Sequence, residues 1–177
     1  MLLISLLFLS LSSTLFAIPY GIQHYSVEPG NLESKGCSVC YQTAYHEVTT
    51  SNDILSCAGP VLFVGSQELV WDWDWEAQAH LGAFGLASEV HNSTILNTPH
   101  LSNGAYWYFT PGKSFGFLKD TDLHQEPTAD IGDTNPDSRL SWNLDNGEGG
   151  YRTGIYTFTD HQRGGFRKII YNCPFSI

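Results

Sequence analysis

The sequence predicts an all-β fold, an antiparallel two-sheet sandwich or jelly-roll-like domain stapled by disulfides. Three observations predict it. From Cys37 onward, short runs rich in Val, Tyr, Phe and Trp are broken every few residues by Gly, Pro, Asn or Asp, the punctuation of strands and turns. Near the C-terminus, Asp145 to Gly150 (DNGEGG) and Asp160 to Gly165 (DHQRGG) supply turn chemistry between alternating runs, which predicts a final meander. The four cysteines, Cys37, Cys40, Cys57 and Cys173, all follow a stretch that reads as a secretion signal, so disulfides are the default over metal or redox chemistry.

The elements follow in chain order. Leu2 to Phe16 is apolar, Ser-rich and without charge, and a small residue and then Pro19 come after it, which fits a signal h-region cleaved after Ala17. The run is shorter than the roughly 20 apolar residues that cross a bilayer, so no membrane anchor is expected once residues 1–17 are removed. About 160 of the 177 residues remain, enough for one core. Residues 18–36 are punctuated by Pro and Gly without clear periodicity and read as an extended N-terminal arm lying over a β-rich domain of residues 37–177. Within that domain, strands are expected near Val39 to Val48, Pro60 to Val64, Leu69 to Trp75, Ala79 to Phe84, Ala105 to Thr110, Ser114 to Leu118, Arg139 to Leu144, Tyr151 to Phe158 and Phe166 to Asn172. Ala87 to Leu96 alone suits a short helix, weakened by its β-branched residues. Lys119 to Asp137 is acidic, holds two prolines and is the longest expected loop.

Charge and cysteine count bound the function. Eighteen acidic against eight basic residues give a formal charge of −10, all of it in the part that survives signal cleavage. Such a field argues against nucleic acid and anionic membrane and favours cations or basic surfaces. Four of the basic residues, Arg152, Arg163, Arg167 and Lys168, fall near the C-terminus, too few for a polyanion site. Four cysteines allow three pairings. In each of them Cys173 ties the end of the chain to a residue between Cys37 and Cys57, closing a loop of more than a hundred residues.

Several motifs carry chemistry on paper. Gly112, Ser114 and Gly116 spell the G-x-S-x-G of a nucleophile elbow, with Asp120 and His161 following in the right order. An elbow needs a strand before the serine and a helix after it, whereas here a turn at Thr110 to Lys113 leads into another strand, so a hairpin is expected. Cys37 and Cys40 have C-x-x-C spacing, with His46 and Cys57 nearby, but neither a βαβ setting nor a repeated zinc spacing surrounds them. Trp71, Trp73 and Trp75 alternate with Asp72, Asp74 and Glu76, placing three indoles on one face of a strand: a core stripe if buried, a platform for sugar stacking if exposed. Asp133, Asn135 and Asp137, with Asp130 close by, resemble the first ligands of a calcium loop. Ser138 and Leu144 replace the glycine and glutamate such a loop requires, which leaves at most a loose, weak Ca²⁺ site and otherwise no cofactor. Asn92-Ser93-Thr94 is a glycan acceptor and predicts an exposed asparagine.

The blocks RLSWNLDNGEGGYRTG (Arg139 to Gly154), LFVG (Leu62 to Gly65) and YWYFTPGKSFGF (Tyr106 to Phe117) resemble a group of uncharacterised secreted proteins of aquatic invertebrates, over roughly Cys40 to Cys173. The resemblance implies secretion and a matrix or surface role, and it attaches no activity or catalytic residue. WDWDW stands outside the group's pattern.

Three classes of function are left standing, in this order. The first is a secreted, acidic, non-enzymatic glycoprotein of the extracellular matrix or a surface, touching cations, mineral or matrix partners through the carboxylates of residues 119–137. The second is a lectin-like module that binds extracellular glycans through Trp71, Trp73 and Trp75. The third is a small secreted serine hydrolase using Ser114.

Overall fold

The computed structural model describes residues 17–68, 79–93, 99–119, 136–145, 150–154, 156–157 and 165–175. Their strands form two antiparallel sheets packed face to face, the expected all-β architecture. The first sheet has the order β1-β4-β3-β11-β2, from β1 (Ile22–Val27), β4 (Ala79–Leu86), β3 (Val61–Glu68), β11 (Phe166–Cys173) and β2 (Ser38–Ala44). The second sheet, ordered β10-β9-β8-β7-β6-β5, is a meander whose neighbours in space are neighbours in sequence. It comprises β5 (His100–Ser102), β6 (Ala105–Thr110), β7 (Ser114–Leu118), β8 (Leu140–Asn143), β9 (Gly150–Thr153) and β10 (Tyr156–Thr157).

The inner face shows why alternation along these strands matters. Leu62, Val64, Leu81, Ala83, Phe166 and Ile170 of the first sheet meet Trp107, Phe109, Phe115, Phe117, Leu140 and Trp142 of the second in one buried cluster. Cross-strand partners Trp107↔Phe117 and Phe109↔Phe115 repeat the same faces, so aromatic rings stack in rows, Trp107 and Phe117 edge to face at 5.1 Å. Each such ring, fully removed from water, contributes on the order of 1.5–3 kcal/mol. Helices α2 (Ser51–Leu55) and α3 (Ala87–Asn92) close the cluster through Ile54, Ala87 and Val90.

The central strands of the first sheet, β4, β3 and β11, are buried on both faces, which explains the unbroken apolar run VLFV in β3. The sheet's other face carries Val61, Phe63, Phe84, Ile169 and Tyr171, covered by Val27, Leu32 and the Cys37–Cys173 pair. Gly82 makes room for that packing, because a Cβ there would sit 2.3 Å from the Phe63 ring.

Residues 18–36 contribute a strand and a helix to this architecture. β1 pairs with β4 at the sheet edge, and α1 (Pro29–Ser34) sets Leu32 into the outer cluster. Helix α3 begins where the sequence predicts and is described through Asn92. α1, α2, β1 and β5 were not expected from the sequence. The expected strand Leu69 to Trp75 and most of the loop Lys119 to Asp137 lie outside the described residues. Among the described residues, no helix is long and apolar enough to cross a membrane.

Candidate functional site

All four cysteines are paired. Cys37 joins Cys173 and Cys40 joins Cys57, which picks one of the three pairings open to the sequence. The topology explains the choice. β11 lies beside β2, so the end of β11 arrives next to the residue that opens β2, while Cys40 faces the C-terminal end of α2. The C-x-x-C spacing therefore forms no bridge of its own.

Two polar clusters interrupt the apolar packing. The first lies between the sheets around Lys168, which is wholly buried. Its Nζ donates to the Glu47 carbonyl and to Thr49 Oγ1, each at 2.6 Å, and stands 5.9 Å from the ring centres of both Tyr45 and Trp142. Around it, Trp142 Nε1 donates to the Tyr45 hydroxyl at 3.2 Å, and that hydroxyl donates to the Arg152 carbonyl at 2.6 Å. The Tyr41 hydroxyl donates to Thr49 Oγ1 at 2.9 Å; its pKa is raised, chiefly by burial. Thr49 continues across to the second sheet, where it bridges Leu144 and its carbonyl accepts from Asp145 N. Lys168 thus fixes the 45–49 crossover between the sheets, and its burial shields it from any reactant.

The second cluster lies on the outer face of the meander. Cross-strand pairing puts Tyr108, Gly116, Ser141 and Arg152 in one row, with Ser114 and Asn143 in the next. Tyr108, Ser114, Ser141, Arg139 and Arg152 are buried, and Gly116 admits no side chain because a Cβ would lie 2.0 Å from the Leu140 carbonyl oxygen. Ser114 Oγ and Ser141 Oγ have no hydrogen-bond partner among the described residues.

Ser114 is the serine of the G-x-S-x-G motif, and the segment is the expected hairpin. Lys113 N donates to the Thr110 carbonyl at 3.0 Å across Pro111 and Gly112, whose φ of 74° suits the third position of a type II turn. β7 follows directly, so the serine sits inside a strand instead of on a strand-to-helix elbow. Asp120 and His161 lie outside the described residues.

At the same end of the sandwich, the Asp145 carboxylate accepts from Ser51 N at 3.2 Å, Gly112 N at 3.1 Å and the Ser51 hydroxyl. This joins α2, the β6–β7 turn and the end of β8. The capping pair of Thr50 and Asp53 that starts α2 completes the junction.

The remaining expectations divide by placement. Asn92 is the last residue of α3 and is exposed, while the next residue, Ser93, is buried and anchored to Val90 and Glu89. The acceptor amide therefore faces solvent from a fixed backbone. Asp137 is exposed in a 3₁₀ turn, Pro136–Ser138, and Asp130, Asp133 and Asn135 lie outside the described residues, as do Trp71, Trp73 and Trp75. Among the described residues no group of three or more His, Cys, Asp or Glu is placed to hold a metal ion. Of the four C-terminal basic residues, Lys168 and Arg152 are buried, Arg167 is half-buried and Arg163 lies outside the described residues.

Comparison of the chain with protein-family models, with curated proteins and with solved structures finds no match.

Proposed function

We propose that this protein is a secreted, non-enzymatic structural component of an extracellular matrix or surface. One observation carries the reading: every cysteine is spent on a bridge, and Cys37–Cys173 ties the start of β2 to the last strand across 136 residues. In the chain-entropy model that closure is worth about 5 kcal/mol and Cys40–Cys57 about 3 kcal/mol. Such staples persist in an oxidising environment and not in a reducing one.

Three further features agree with it. The exposed Asn92 leaves room for a glycan beside α3. The charge of −10 keeps the folded chain soluble during export and suits contact with divalent cations, mineral or basic matrix partners outside the cell. Lys168 and Ser114 are both buried, which agrees with a packing role for the clusters around them.

The test is fractionation of cells expressing the full chain with its own leader. Recovery from the insoluble or salt-extractable extracellular fraction, with loss of recovery when Ca²⁺ is chelated, supports a cation-linked matrix role. Recovery only from the soluble medium, unchanged by chelator, overturns it.

A further inference from the structure

We propose that the open edge of β2 is a strand-pairing site for a second copy of this chain. Among the described residues the two sheets have four edge strands: β1, β2, β5 and β10. β5 has three residues and β10 two, too few to template another strand, and β1 loses its register after His24 and runs into the Pro29 helix. β2 is seven residues long, Ser-Val-Cys-Tyr-Gln-Thr-Ala, with no proline and no charge, and Ser38, Val39 and Gln42 are exposed. Long edges are ordinarily guarded by lysine, proline or a covering segment. Among the described residues the only guard is the register shift at Cys40, between Val39 and Tyr41.

The direction of the backbone groups follows from the ladder. Tyr45 N donates to Phe166 O at 3.0 Å, which makes Tyr45, Thr43 and Tyr41 the residues whose N–H and C=O turn toward β11. Gln42 therefore turns both of its groups to the open side, and Ala44 turns out its N–H while its carbonyl accepts from Glu47 N. An antiparallel two-fold centred on Gln42 sets that residue against its own copy, each donating its N–H to the other's carbonyl.

Charge favours this edge over the rest of the surface. Two copies at −10 repel over most approaches, whereas β2 brings two neutral strips together. Beside it, Gln42, Thr43 and Ala44 line a shallow hollow of about 230 Å³ with Arg167, so no carboxylate stands in this part of the edge. Val39, Val48 and Leu55 are three of the five exposed large apolar side chains among the described residues. Val48 and Leu55 lie inside the loop that the Cys40–Cys57 bridge closes, and Val39 directly precedes it. The shift at Cys40 limits the straight run to Tyr41–Ala44, so the contact is small and the dimer weak.

The pairing is independent of the matrix reading and is tested on the purified, disulfide-intact, glycosylated protein by sedimentation equilibrium. The weight-average mass is expected to rise from one chain toward two as concentration reaches hundreds of micromolar, and to rise further with added salt as the repulsion is screened. Gln42→Pro removes the outward N–H and should hold the mass at one chain. Because proline at this position risks the fold, Gln42→Lys, which sets like charges across the two-fold, should do the same with an unchanged melting temperature. A wild-type chain that stays monomeric throughout, or a folded Gln42→Lys chain that dimerises like wild type, overturns the proposal.

Discussion

Replacing Lys168 tests how the two sheets are held in register. Truncation to alanine removes three methylenes from a fully buried site, about 2.5 kcal/mol of transfer free energy at ~0.8 kcal/mol each. It also strips the part-buried Glu47 carbonyl of its 2.6 Å donor, a loss of about 1–2 kcal/mol. The contact with the Tyr45 and Trp142 rings goes as well, roughly 1 kcal/mol because 5.9 Å is near the outer limit of such a contact. Thr49 Oγ1 keeps its bond from Tyr41. Against these losses stands a gain, since the variant no longer takes an ammonium out of water, a penalty of several kcal/mol. The balance for Lys168→Ala is a destabilisation of about 3 kcal/mol. Lys168→Met keeps the length of the side chain without the charge and should fall within about 1 kcal/mol of wild type. The assay is urea unfolding with both disulfides intact, compared at equal slope, with amide exchange at His46 to Thr49 reporting the released crossover. An alanine variant costing less than about 1 kcal/mol, or a methionine variant as unstable as alanine, refutes this account of the buried lysine.

Other perturbations follow from the same geometry. Removing the long staple as Cys37→Ser with Cys173→Ser should lower stability by about 3–5 kcal/mol in urea, more than removing Cys40–Cys57; equal losses would contradict the loop-length argument. His91 is held below its ordinary 6.5, chiefly by burial and partly opposed by a hydrogen bond with the Ile54 backbone. The unfolded chain therefore binds more protons, so this contribution is complete above pH 6.5 and is lost as pH falls through 6.5 toward the folded value. Melting temperatures from pH 8 to 5 should fall less steeply in His91→Gln than in wild type. Tyr171, pushed up to about 12 by burial first and then by Glu33, gives the opposite sign: its contribution is intact below pH 10 and lost as pH rises from 10 toward 12. In thermal unfolding at pH 8 and pH 11, Tyr171→Phe should lose less than wild type at the higher pH. On the outer face of the meander, Gly116→Ala drives a Cβ into the Leu140 carbonyl and should destabilise by about 1–3 kcal/mol or more. Ser114→Ala deletes a buried hydroxyl that has no hydrogen-bond partner among the described residues and should leave stability level or slightly higher in the same unfolding assay.

Much of the sheet framework is legible in the sequence, and the reasons are local. β6 and β7 fall on the predicted residues because Pro111 and Gly112 fix the turn between them and aromatic residues alternate on both sides. α1 is hidden because Pro29 and Gly30 read as breakers, although proline suits the first turn of a helix and Leu32 supplies the buried contact. β1 is hidden because an edge strand pairs on one side and tolerates Gln23, His24 and Ser26. The disulfide pairing depends on β11 lying beside β2, a long-range fact that spacing does not contain. Lys168 did leave a signal. In FRKIIYNC the period of two places it on the face of Phe166 and Ile170, and a lysine on an apolar face needs partners inside. Those partners are the Glu47 carbonyl and Thr49, more than a hundred residues away in the chain, and only the fold brings them there.

A structural role outside the cell requires a stapled, exported chain, and intact-mass analysis of the protein recovered from the extracellular fraction of expressing cells tests that requirement most directly. A chain starting at Ile18, with both disulfides formed and a glycan on Asn92, is the predicted result. A chain found only inside the cell, with its leader attached and its four thiols free, contradicts it.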